Sequence, residues 1–139
     1  MIMSLRNLKS GSNLKATFMY TGIRVKDLEE SVKFYTQVLG MKEKGRSDIE
    51  ASGGKVVGLV SKEGGPELEL NYYGKGSRFA VGYSTGEGLD HLAFQVDDLE
   101  KALEEAKKLG HPVALEMKTN TSKWAYIQDP NGIWIELFA

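Results

Sequence analysis

Two stretches of this chain are near copies of one another, and no other feature limits the possible folds so sharply. Val25-Lys26-Asp27-Leu28-Glu29 is matched in register by Val96-Asp97-Asp98-Leu99-Glu100. Each copy opens a helical pattern, with Asp27 and Asp98 placed to accept hydrogen bonds from the unpaired amides of the first turn. Leu28, Val32, Tyr35 and Leu39 share one face of the first helix; Leu99, Ala102, Leu103, Ala106 and Leu109 share one face of the second. Gly40 and Gly110 then follow the last apolar residue, where a left-handed backbone ends a helix.

Strand patterns flank both helices. Tyr20 to Val25 precedes the first, and Met41 to Arg46, Val56 to Ser61 and Glu67 to Tyr72 follow it. His91 to Val96 precedes the second, and Val113 to Met117, Trp124 to Gln128 and Ile133 to Phe138 follow. The Asp129-Pro130-Asn131-Gly132 segment makes the last turn, with Gly132 free to take positive φ. The predicted order is therefore β-α-β-β-β, twice.

Alternation along the strands sorts side chains onto two faces. Leu68 and Leu70, Ile135 and Leu137, Leu92 and Phe94, and Ile23 and Val25 form aliphatic faces that belong against the helices. The opposite faces carry Tyr20, Arg24, Glu69, His91, Trp134 and Glu136. Superposing the repeats carries Tyr20 onto His91 and Glu69 onto Glu136. Packing of the halves about a pseudo-two-fold axis then brings these four side chains together. Two carboxylates gathered there repel one another unless a cation or a shared proton intervenes. Oxygen and nitrogen donors suit one divalent ion of Ni, Zn, Co, Mn or Fe, with open positions left for a substrate.

Composition removes several alternatives. The 139 residues make one ordinary domain, 41% hydrophobic and 27% charged, in the range of soluble globular proteins. A net charge of −1 with no basic patch speaks against nucleic acid as a partner, and no apolar run is long enough to span a membrane. The lack of cysteine rules out disulfides, thiolate ligands and a cysteine nucleophile, and fits a cytoplasmic protein. Residues 1–16 read as a flexible arm, 17–139 as the domain, with modules at about 17–73 and 89–138. The Gly- and Ser-rich linker 74–88 reads as a lid.

At these residues the sequence resembles the vicinal-oxygen-chelate superfamily, and within it glyoxalase I (lactoylglutathione lyase). The resemblance rests on Ile23-Arg24-Val25-Lys26-Asp27-Leu28, Phe34-Tyr35-Thr36-Gln37-Val38-Leu39-Gly40-Met41, Leu68-Glu69-Leu70, Asp90-His91-Leu92-Ala93 and Ile127-Gln128-Asp129-Pro130-Asn131-Gly132-Ile133-Trp134-Ile135-Glu136. It implies an α+β fold: two βαβββ modules pairing into a curved, cup-shaped mixed sheet with helices outside. It implies that Glu69, His91 and Glu136 are metal ligands, with Glu136 and its counterpart Glu69 as the catalytic carboxylates. Arg24 is implied to hold a substrate carboxylate, and Trp134 to line the substrate pocket beside Tyr20. The implied partners are a small molecule with two neighbouring oxygens, such as a 2-oxoaldehyde hemithioacetal, and a second copy of the chain in a homodimer. Whether a site forms within one chain or across that dimer stays open. So do a non-enzymatic binding protein of the bleomycin-resistance kind and an epimerase or ring-cleaving dioxygenase. The family has His or Gln where Tyr20 stands. Three readings remain for the phenol: a phenolate ligand, a donor to a metal-bound water, or the mark of a lost metal.

Overall fold

Asp27 and Asp98 divide strand from helix as the repeat predicts. Asp27 Oδ1 accepts from the Glu30 amide at 2.9 Å, and Asp98 Oδ1 from the Lys101 amide at 3.1 Å. The computed structural model describes residues 19–50, 53–77, 80, 84, 89 and 91–139. The arm 1–16 and most of the linker 74–88, with its reading as a lid, lie outside the described residues.

The first half runs β1 (Tyr20–Arg24), α1 (Leu28–Lys33), β2 (Lys42–Ile49), β3 (Gly54–Val60) and β4 (Glu67–Tyr73). The second runs β5 (His91–Gln95), α2 (Leu99–Lys108), β6 (Leu115–Lys118), β7 (Lys123–Gln128) and β8 (Trp134–Phe138). Both halves order their strands alike, β1-β4-β3-β2 and β5-β8-β7-β6, with the first pair of each parallel and the others antiparallel. This is the expected α+β architecture. The helix-stopping glycines take the left-handed conformation, φ 68° at Gly40 and 91° at Gly110.

Two details differ from the sequence reading. The first helix is α-helical only to Lys33, and Phe34–Val38 winds as a π-helix. Thr36 Oγ1 donates to the Val32 carbonyl at 2.8 Å, competing for the acceptor that an α-helix reserves for the Thr36 amide. The wider turn buries the adjacent rings of Phe34 and Tyr35 edge to face, centroids 5.0 Å apart. Second, the halves do not merge into one cup-shaped sheet within the chain. Among the described residues β1 and β5 each pair on one side only, so two four-stranded sheets remain distinct.

The aliphatic faces of β1, β3, β4, β7 and β8 are buried as the alternation requires, whereas Leu92 and Phe94 of β5 are only partly buried. Leu70 in β4, Val57 and Leu59 in β3, and Ile127 and Ile135 in β7 and β8 are each 0% exposed. They belong to one core that runs through both halves. Each such side chain contributes about 1.5–3 kcal/mol by leaving water. No helix among the described residues is long and apolar enough to cross a membrane.

Candidate active site

Strand register puts the repeated positions in equivalent places. Gly22 in β1 lies opposite Glu69 in β4, and Ala93 in β5 opposite Glu136 in β8. Two residues earlier, on the same face, Tyr20 lies opposite Glu67 and His91 opposite Trp134. On the second sheet this brings His91 Nε2 to 3.5 Å from Glu136 Oε2, with both side chains partly exposed. The His91 ring meets Tyr126 edge to face at 6.0 Å, and Tyr126 meets Trp134 in the same manner at 5.9 Å.

The first sheet presents a more polar surface. Glu69 is half-buried and reaches over Gly22, where an added Cβ would lie 3.9 Å from Glu69 Oε1 and only 3.1 Å from Asn71 Nδ2. Glu67, two residues earlier on the same face, is paired with Lys44 at 2.9 Å. Its carboxylate lies across Gly58, where a Cβ would come within 2.6 Å of Oε1. A cleft of about 310 Å³ opens here, lined by Lys44, Ser47, Val56, Gly58, Glu67 and Glu69.

The structure thus brings His91, Glu136 and Trp134 together on one sheet, and leaves Tyr20, Arg24 and Glu69 on the other. Among the described residues no three His, Asp or Glu side chains stand close enough to hold an ion. Convergence of Tyr20, Glu69, His91 and Glu136 therefore does not occur within one chain. The physical reason is that β1 and β5 head separate sheets. Tyr20 is 50% exposed at the start of its strand. His111, after the end of α2, is half-buried. Its Nδ1 lies 3.0 Å from the Gln128 carbonyl and its ring 4.5 Å from that of Phe34.

Two site-facing residues escape the sequence reading. Tyr126 is opposite Glu136 and Trp124 opposite Phe138, so both rings join the His91–Glu136 face. The available signal is the alternation of Trp124, Tyr126 and Gln128 against the buried Ala125 and Ile127. Leu115 and Met117 extend this apolar surface onto β6 through pairing with Tyr126 and Trp124, and both are exposed.

A duplicated βαβββ chain with a carboxylate on the last strand of each half, and an imidazole beside one of them, defines a two-module α+β class with paired half-sites. The chain belongs to the glyoxalase/bleomycin resistance protein/dioxygenase superfamily, whose family model matches residues 17–137. It is similar to the lactoylglutathione lyase of Neisseria meningitidis serogroup A, 35% identical over 123 residues, covering 85% of this chain and 86% of that one. It is equally similar to the uncharacterized protein YwbC of Bacillus subtilis, 35% identical over 127 residues, covering 86% and 94%. Among solved structures it resembles the trypanothione-dependent glyoxalase I of Leishmania major. That match has a TM-score of 0.75 and 29% identity, and covers 89% of this chain and 86% of the other.

Proposed function

We propose that the chain is a metal-dependent lyase of the glyoxalase I type, acting as a homodimer on the hemithioacetal of a 2-oxoaldehyde. The observation that carries this reading is the His91–Glu136 pair at 3.5 Å, with Glu69 at the equivalent register of the other sheet. One chain offers an imidazole nitrogen and a carboxylate on one sheet, and a second carboxylate on the other. With no thiolate in the chain, that donor set fits a divalent ion of the Mn-to-Zn series once two chains face each other. Glu69 of one chain then completes the site of His91 and Glu136 of the other.

Bound there, the ion supplies Lewis-acid stabilisation of the charge that develops on two neighbouring substrate oxygens. The chain's residues do the rest. Glu136 takes the proton from one carbon and returns it to the next, with Glu69 as its counterpart across the site. Arg24, on the same face of β1 as Tyr20, holds a substrate carboxylate. Trp134, Tyr126 and Trp124 form the wall against which the apolar part of the substrate rests. Names of relatives support the activity: the Neisseria protein is a lactoylglutathione lyase.

The aromatic surface also supports a second reading, a binding protein that stacks a flat ligand without turnover. Calorimetric titration of chelator-treated protein separates the two. One tightly bound Ni, Co, Zn, Mn or Fe ion per chain, abolished in Glu69→Gln, His91→Ala and Glu136→Gln, is expected of the lyase. No binding of any of these ions, with the same melting temperature in metal and in chelator, rejects the lyase and leaves the binding protein.

A further inference from the structure

Buried polar side chains gather at one place away from the His91–Glu136 pair. In the turn between β7 and β8, Asp129 is 4% exposed and Asn131 fully buried. Tyr35, from the π-helical turn, donates its hydroxyl to Asp129 Oδ2 at 2.9 Å. Asn131 Nδ2 donates to Ser31 Oγ at 3.1 Å, and Asn131 Oδ1 accepts from the Lys26 amide at 2.8 Å. These three bonds join residues 94 to 105 apart in sequence and tie the first half to the second. Asp129 is itself held rigid: its Oδ1 accepts from the Asn131 and Ile133 amides, both at 2.8 Å, and its Oδ2 from Asn131 Nδ2 at 2.9 Å.

We infer that Tyr35, Ser31 and Asn131 are positioning residues, a latch that sets the distance and angle from Glu69 to the His91–Glu136 pair. On one side the latch grips α1 and Lys26, immediately after β1, and β1 is hydrogen-bonded to the strand carrying Glu69. On the other it grips the residues just before β8, which carries Glu136. Apolar packing is non-directional and tolerates sliding of one half over the other, whereas hydrogen bonds fix direction. The inference rests on the shared-ion reading above. In a two-fold dimer both ions are reached together only if the spacing within each chain matches that required by its partner. Metal–ligand distances tolerate only about ±0.2 Å.

The test reads the spacing itself. With no native cysteine, Lys55→Cys on β3 and Glu104→Cys on α2, both exposed, place one spin label on each half. Labelled chain diluted into an excess of unlabelled chain reports the intrachain distance by pulsed dipolar spectroscopy. The expected result is one narrow distribution in the otherwise unaltered chain, and a shifted or broadened one in Tyr35→Phe and Asn131→Ala. Val57→Ala, a core cavity in the first sheet, lowers the melting temperature but leaves the distribution in place. If Tyr35→Phe superimposes on the parent, the latch is overturned whatever ion is bound. Should Asn131→Ala fail to fold, Tyr35→Phe, which removes a single oxygen, carries the test alone. Zinc titration of the same variants distinguishes this inference from the reading beneath it. Binding at least ~10-fold weaker is expected in Tyr35→Phe, and unchanged binding in Val57→Ala. A parent that binds no zinc while Tyr35→Phe still moves the distance rejects the ion and keeps the latch.

Discussion

Glu69→Gln and Glu136→Gln each remove a charge while preserving side-chain size, and the division of the site between two sheets makes their mixture informative. A chain with Glu69→Gln keeps its His91–Glu136 pair, and a chain with Glu136→Gln keeps its Glu69. In a shared-site dimer, one chain of each kind rebuilds one complete site and one doubly defective site. Random reassociation of equal amounts gives parents and mixed dimers in a ratio of about 1:2:1, so about a quarter of the normal number of sites returns. On the reading proposed above each pure variant loses a direct ligand, and its zinc affinity should fall by at least the ~10–100-fold that loss of an outer-sphere partner costs. The assay is calorimetric zinc titration of each pure variant, and of the two unfolded and refolded together. A tight phase at about 0.25 ions per chain, present only in the mixture, is the expected result. If the parent binds one ion per chain and the mixture shows no tight phase, sharing between chains is refuted.

Four further substitutions test the fold and its electrostatics. Asp27→Ala and Asp98→Ala each remove the side-chain acceptor of a first-turn amide and should cost about 0.5–2 kcal/mol, read from the urea midpoint. Ile135→Ala opens a cavity at a residue with no exposed surface and should cost about 2–5 kcal/mol, moving the midpoint with the slope unchanged. Arg46 donates to both Glu29 and Glu43, and its hydrogen bond to Glu29 holds that carboxyl below its ordinary value of 4.5. A folded-state value below the unfolded one adds stability above pH 4.5 that is lost as pH falls. Arg46→Met should therefore raise the pH of acid unfolding at low salt. The difference should shrink at high salt, because the pair is exposed; coincident acid transitions at low salt would contradict this.

What the sequence discloses follows from the range of the forces involved. Caps, helix-stopping glycines and strand alternation are local, so Asp27, Asp98, Gly40, Gly110 and the buried faces of Leu70 and Ile135 are readable from their neighbours. The equivalence of Glu69 and Glu136 follows from the repeat, while the register that sets them opposite Gly22 and Ala93 comes from strand pairing that the repeat does not state. The Tyr35–Asp129 bond is not readable in this way. Tyr35 sits at an apolar position of a helical pattern, and nothing nearby shows that its hydroxyl meets a carboxylate 94 residues away. The π-helical turn at Phe34–Val38 is not encoded either, because the apolar spacing fits a continuous α-helix equally well. Separation of the two sheets is a property of edge strands β1 and β5, and strand patterns do not state what an edge faces.

Duplication fixes equivalent backbone positions, and divergence then decides what each position does. Tyr20 and His91 occupy one such pair, Glu67 and Trp134 a second, and Glu69 and Glu136 a third. Only the third has kept its chemistry. The first sheet has become polar, with Glu67 held by Lys44 beside Glu69, while the second surrounds Glu136 with His91, Tyr126 and Trp134. Two copies of one sheet facing each other would set like against like, carboxylates against carboxylates or rings against rings. In the homodimer proposed above, two-fold pairing of whole chains would instead set the polar sheet of each against the aromatic sheet of the other, and repeat the same arrangement at both sites. Each site then has one wall suited to charged oxygens and one suited to carbon. A substrate of the kind proposed, with two adjacent oxygens at one end and an apolar remainder at the other, would then be oriented with its oxygens toward the polar wall and its carbon toward the rings.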